Sequence, residues 1–228
     1  MQTPVSTAAG LGRRSTLLAH NAGMWEGRFV RFDRRGLELE RFDSRLQVQD
    51  QAGTVVAALT NLSSGQVRTM DFQEPPAEMQ ISQEGHWSLG PDRIGPWPWV
   101  SELCLVWGQR RRRAVIRHGS DQLDSVVLVS EARPNHQEPL APAPLHALIA
   151  DISGSNNTAS SDSLTTSNAL IWTLPACLAV TVQTVAQRGQ GMAEEVVLRW
   201  QPEPQVSLEI RRRYGPHGLL ERGSGLLA

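Results

Sequence analysis

Along most of the chain, apolar and polar residues alternate in short runs broken by Gly, Pro and Asp, and the 3.6-residue period of a helix is nearly absent. The exception lies near the start. Leu17 and Leu18 follow Ser15, which predicts a short helix from Ser15 to Met24 with Ser15 as its cap. Beyond it the alternation predicts strands near 25–33, 37–49, 54–61, 66–73, 78–83, 100–108, 113–118 and 124–132, with Arg34-Arg35-Gly36 as a tight turn between the first two. Short strands joined by hairpins point to an up-and-down barrel, a form that leaves no exposed sheet edges when it closes.

The pattern changes at 134–168. Pro139, Pro142 and Pro144 precede a short apolar stretch, Leu145 to Ile152, and the run from Ser153 to Ser163 holds little that could be buried, so a linker with disorder in this run is expected. Strand patterning resumes near 169–174, 177–186, 194–201, 205–214 and 218–227. Part of it echoes the first half. Glu102 to Trp107, followed by the Arg-rich run Arg110 to His118, is matched by Glu195 to Trp200 followed by Ile210 to Tyr214; upstream, Trp87-Ser88-Leu89 is matched by Trp172-Thr173-Leu174. The reading is an all-β chain: a barrel over 15–133, a linker over 134–168, and a second, shortened barrel-like module over 169–228 built like the closing half of the first.

Composition narrows the chemistry. All 22 basic residues are Arg, which excludes a Schiff-base lysine and the lysine of a phosphate-binding loop; the net charge of -1 argues against a nucleic-acid partner. The first twenty residues carry no apolar signal core and no stretch is long enough for a membrane span, so a cytoplasmic protein is expected. Cys104 and Cys177 sit in apolar runs and read as small hydrophobes, with no spacing that suggests a disulfide framework. The six histidines are scattered without metal-ligand spacing, and no catalytic Ser elbow or Gly-rich phosphate loop occurs.

The stretch from His20 to Glu38 is the most specific. Gly23, Trp25, Gly27, Phe29, Arg31 and Phe32 match the Gly-x-Trp-x-Gly-x-Phe-x-Arg-Phe opening of a calycin-like family of cyanobacteria and chloroplasts, the domain of unknown function numbered 3598, and Glu102, Trp107, Arg113 to Arg117 and Glu131 resemble its later signature. The resemblance implies a calycin-like, lipocalin-like β-barrel closed at one end by Gly23 and Trp25. An Arg from a late strand would stack on the Trp, a contact of about 0.5–2 kcal/mol, with Arg117 and Arg133 as candidates. It also implies one of two roles: a protein-binding assembly factor, as for the ATP synthase head in chloroplast relatives, or a bilin lyase or carrier holding a tetrapyrrole or other hydrophobic anion.

Candidate contact residues follow from chemistry. Trp97 and Trp99, in a Pro-rich loop, suit a partner or ligand at a barrel mouth, or else cover the barrel end as core. Alternation places Arg111, Arg113 and Arg117 on one face of their strand and Arg112 with Ala114 and Ile116 on the other; the first set suits a carboxylate or phosphate clamp, against the alternative of a solvated hairpin tip. Arg28 and Arg31 on the opening strand, if interior, must be paired or meet an anion. The expected function is non-enzymatic binding of a protein partner, with a hydrophobic anionic ligand as the alternative.

Overall fold

The chain enters through α1 (Arg13–Asn21). In this computed structural model residues 12–136, 138, 143–151, 169–174, 178–185, 193–221 and 226–227 are described. Gly12, not Ser15, occupies the cap position, and it offers no side-chain hydrogen bond. The helix stops short of Met24 because Ala22 is already extended, its N–H closing the last turn onto the Leu18 carbonyl, and Gly23 turns the chain with φ +99°. No described helix is long and apolar enough to cross a membrane.

Nine strands follow: β1 (Gly23–Asp33), β2 (Glu38–Gln51), β3 (Thr54–Asn61), β4 (Val67–Phe72), β5 (Gln80–Ile81), β6 (Trp87–Leu89), β7 (Trp99–Trp107), β8 (Arg110–His118) and β9 (Leu123–Ala132). They form one antiparallel sheet in the order β4-β3-β2-β1-β9-β8-β7-β6-β5. The β1–β9 ladder, from Glu26 opposite Ala132 to Asp33 opposite Ser125, joins the two halves of the up-and-down path. Between β4 and β5 no ladder forms among the described residues, so the wall is a curled half-barrel, a trough with an open seam.

A second antiparallel sheet runs in chain order through β10 (Leu148–Asp151), β11 (Ala169–Thr173), β12 (Val180–Val185), β13 (Glu194–Glu203), β14 (Val206–Tyr214) and β15 (Leu226–Leu227). Its first strand falls inside the expected linker: Leu148 to Asp151 pair with β11, so this module begins well before residue 169. The expected disorder over 153–163 lies outside the described residues, as does Cys177. The structure also fixes the register of the internal echo. Trp107 stands opposite Arg110 and Trp200 opposite Leu208, which equates Arg113 with Arg211; each reaches the echoed glutamate, Arg113 to Glu102 at 2.6 Å and Arg211 to Glu195 at 3.7 Å. The tryptophan tripeptides do not correspond, because β6 is the direct neighbour of β7 whereas β12 stands between β11 and β13.

The second sheet covers the convex side of the first. Val30, Phe32, Leu103, Leu105, Ala114, Ile116, Val126 and Leu128 pack against Trp172, Val182, Leu198, Trp200 and Ile210 in one core. Trp99 belongs to this seam, stacked on His118 at 4.3 Å and edge-on to Tyr214 at 5.2 Å. A smaller core lines the concave side: Trp25, Leu46, Val48, Val55, Cys104 and Val106, with Leu18 of the helix packed on it. Strands β7 to β9 are therefore covered on both faces, which is why β7 and β9 read as nearly continuous apolar runs and the arginines of β8 are mostly buried.

Candidate functional site

The concave trough gathers the chemistry, and α1 plugs one end of it. Asn21 is the hub of that plug: its amide donates to the Gly85 carbonyl, its backbone carbonyl accepts from Trp25 Nε1, and its Oδ1 accepts from Trp87 Nε1 and Arg111 Nη1. Trp25 is fully buried beneath two guanidiniums, Arg133 at 3.8 Å and Arg111 at 4.3 Å from the ring centroid. Arg117, the other candidate for this contact, lies further along β8 and faces a different cavity. Gly23 is required by its positive φ, and a Cβ there would also displace Arg133, whose Nη1 would lie 2.6 Å away, from its place over Trp25. Gly27 is required by contact alone: a Cβ there would meet the Ser130 carbonyl oxygen at 2.2 Å and Glu131 Cγ at 2.5 Å.

That missing side chain makes room for Glu131, whose fully buried carboxylate accepts from Arg111 Nε at 2.7 Å and from Arg113 at 2.9 and 3.0 Å. Arg113 also donates to Glu102 at 2.6 Å. Burial pushes the Glu131 carboxyl up, but the charges of Arg111 and Arg113 outweigh it and hold the group at about 2. Beside this cluster Cys104 is pushed up to about 12 by burial, so its thiol stays protonated and inert. The expected solvated tip at Arg110 to Arg113 is thus corrected. Arg111, Arg112 and Arg113 are buried, because β9 supplies Glu131 on the concave face and the second sheet closes over the convex one. On that convex face Arg112 pairs with Glu138 and lies over Trp200.

Two cavities adjoin in the trough. An apolar one of about 260 Å³ extends from Leu17 over Val55, Ala57 and Leu59 to Met70, Phe72, Met79 and Trp87. Met70 and Phe72 lie on β4 and Trp87 on β6, so it spans the open seam. A polar one of about 330 Å³ lies beyond it, lined by Arg31, Arg68 and Arg117 with Glu40, over the stacked pair Phe29 and Phe42. Leu59 and Arg68 border both. Among the described residues no three His, Cys, Asp or Glu side chains are grouped as metal ligands would be.

The sequence-predicted residues divide accordingly. Arg31 and Arg117 line the polar cavity and Arg113 the wall of the apolar one. Arg111 and Arg113 are already committed to Glu131 and do not form an open clamp. Arg28 is on the opposite face of β1 from Arg31, as an odd spacing requires, and is held by Asp43 through two bonds of 2.7 and 3.0 Å. Trp99 is 5% exposed in the core between the sheets and cannot meet a partner, whereas Trp97 stays 49% exposed. Arg68 was missed. Its alternation with Met70 and Phe72 on the predicted strand 66–73 was the available signal, since it places a lone charge among the apolar residues of one face.

The model of the domain of unknown function DUF3598, N-terminal part, matches residues 14–136, more than half of the chain. The chain belongs to the DUF3598 family. Among solved structures it is similar to a DUF3598 protein of unknown function from Nostoc punctiforme PCC 73102, with a TM-score of 0.70 at 17% identity, over 92% of this chain and 96% of that one. At that identity the likeness speaks for the DUF3598 fold alone. No curated protein matches the chain.

Proposed function

We propose that this DUF3598 protein is a non-enzymatic carrier whose half-barrel holds a slender hydrophobic molecule. The observation that carries this reading is the apolar cavity of about 260 Å³ inside the trough, which spans the seam between β4 and β5. Its volume sits just below the roughly 300–1,000 Å³ range of drug-sized ligand pockets, which favours a single chain over a bulky tetrapyrrole. Burying each methylene of such a chain contributes about 0.8 kcal/mol. The test is calorimetric titration of the full chain with 1-decanol, followed in parallel by tryptophan emission, since Trp87 lines the cavity. A saturable single site, weakened by A57F, is expected; absence of both heat and emission change up to the solubility limit of the alcohol refutes it.

A second reading, protein binding in the manner of an assembly factor for ATP synthase, is favoured by the outer edge of β4, which pairs with no further strand among the described residues and where Val67 and Met70 are 55% and 53% exposed. Such an edge is a template for an added strand. Pulldown with wild type against a variant carrying T69P is the test: a partner retained equally by both speaks against the edge.

A further inference from the structure

The second cavity contradicts a purely apolar ligand. Three guanidiniums, from β1, β4 and β8, face about 330 Å³ of space with Glu40 as the one carboxylate among the lining residues. The guanidiniums of Arg68 and Arg117 make no hydrogen bond or ion pair with any described residue. Arg31 is little better placed: Asp124 Oδ2 lies at 4.0 Å, the outer limit of an ion pair, and its Nε is buried without a hydrogen-bond partner. The other two arginines on the concave face of β8, Arg111 and Arg113, are matched by Glu131 and Glu102. Arg68 is exposed and Arg31 and Arg117 are half-buried, so water screens their mutual repulsion, but three guanidinium forks lining one hollow offer an entering anion more donors than its single carboxylate can occupy.

We infer that the Arg31, Arg68 and Arg117 cavity is the subsite for the anionic end of the ligand, which is an amphipathic anion with one apolar chain and a terminal carboxylate or phosphate. This rests on the carrier reading above. The two subsites are contiguous, since Leu59 and Arg68 border both, so one molecule spans them with its chain toward α1 and its charged end beneath Arg117. The planar guanidinium fork suits either acid, and Phe29 stacked on Phe42 at 4.8 Å gives the end group a flat floor. The wide open hollow at the nearby rim is a weaker candidate, because Asp33, Asp121 and Asp124 there offset Arg31, Arg34 and Arg35.

Calorimetry of the full chain with four probes of equal chain length tests the assignment: 1-decanol, decanoate, decyl phosphate and decylammonium. Decanoate or decyl phosphate should bind about tenfold or more tightly than decanol, and decylammonium more weakly than decanol, the tighter of the two anions naming the end group. R68Q and R117Q, which break no internal pair, should each reduce the anion's advantage over decanol about fivefold or more, while R93Q, outside both cavities, leaves decanol and anion binding unchanged. Equal binding of alcohol and anions overturns the inference and leaves the carrier reading standing. An anion preference untouched in R68Q and R117Q overturns this cavity as its origin. Failure of all four probes to bind sinks the carrier reading itself.

Discussion

Substituting Glu131 by Gln removes one negative charge from a site with no access to water. The carboxylate takes three hydrogen bonds, one from Arg111 and two from Arg113, and its side chain is 0% exposed. In the variant Arg113 keeps Glu102, but Arg111 loses its one carboxylate and is left with neutral acceptors, the new amide oxygen and the Asn21 oxygen at 3.4 Å, and the face of Trp25. Stranding a buried charge in this way costs about 3–5 kcal/mol. An independent route gives a similar figure. A carboxyl whose pKa falls from 4.5 to about 2 on folding contributes about 3 kcal/mol. The sign follows from the depressed value: the contribution is complete above pH 4.5 and is lost as the pH falls from there toward about 2.

Urea unfolding of wild type and E131Q at pH 7, 5, 4 and 3 measures both quantities. At pH 7 the variant should be about 3–5 kcal/mol less stable, a fall in Tm of roughly 6–20 °C for a chain of this size. Below pH 4.5 the gap should narrow, because wild type loses the contribution that E131Q never had. A deficit under about 1 kcal/mol at pH 7, or a gap that stays constant into acid, would refute the claim that this carboxylate holds the trough wall together.

Three further outcomes are expected. G27A should destabilise by about 1–3 kcal/mol, since its Cβ would drive β9 off β1 at Ser130 and Glu131; a denaturation midpoint equal to wild type would show that the strands accommodate it. R212K should cost about 3 kcal/mol, because the buried guanidinium donates to Tyr214, Ser88 and the carbonyls of Glu78, Gly90 and Pro91, a set that one ammonium cannot span; unchanged thermal unfolding would argue otherwise. His86 is pushed below its ordinary value by burial and accepts the Val106 N–H on Nδ1, so its contribution is complete above about pH 6.5 and fades as the pH falls below that; H86N should flatten the stability profile between pH 7 and 5.

The two-residue period made most of the strands legible, because it reflects only which side of a pleat a residue takes. It also separated Arg111, Arg113 and Arg117 from Arg112, Ala114 and Ile116 as the structure has them. What it could not supply was the environment of each face. That depends on the second sheet, whose contact with β6 to β8 joins residues about a hundred positions apart, as in the bond from Trp107 to Glu203. A buried arginine and a solvated one look alike in sequence until the partner carboxylate is located. Glu131 and Glu138 are each reached only after the chain has turned back on itself. β6 was overlooked for a different reason: three residues carry too little alternation to register as a strand. The polar cavity was only half visible for the same cause as Arg68, since β4 belongs to the wall only by virtue of the curl.

The arginines of β8 show why a doubly covered strand suits a binding trough. On the convex side Arg110 and Arg112 lie over Trp200 and share Glu138, so they fasten the second sheet to the wall. On the concave side the same strand carries Arg111 and Arg113 on internal carboxylates near the plugged end and Arg117 on none. Pairing therefore decreases along one strand from the sealed end of the trough toward its polar cavity. A wall whose inner charges were all matched would only resist unfolding, and a wall with all of them unmatched would strain against its own burial. Fastening from behind lets the strand hold its position while the last guanidinium is left uncommitted, and preorganised donors of that kind lose little freedom when an anion arrives.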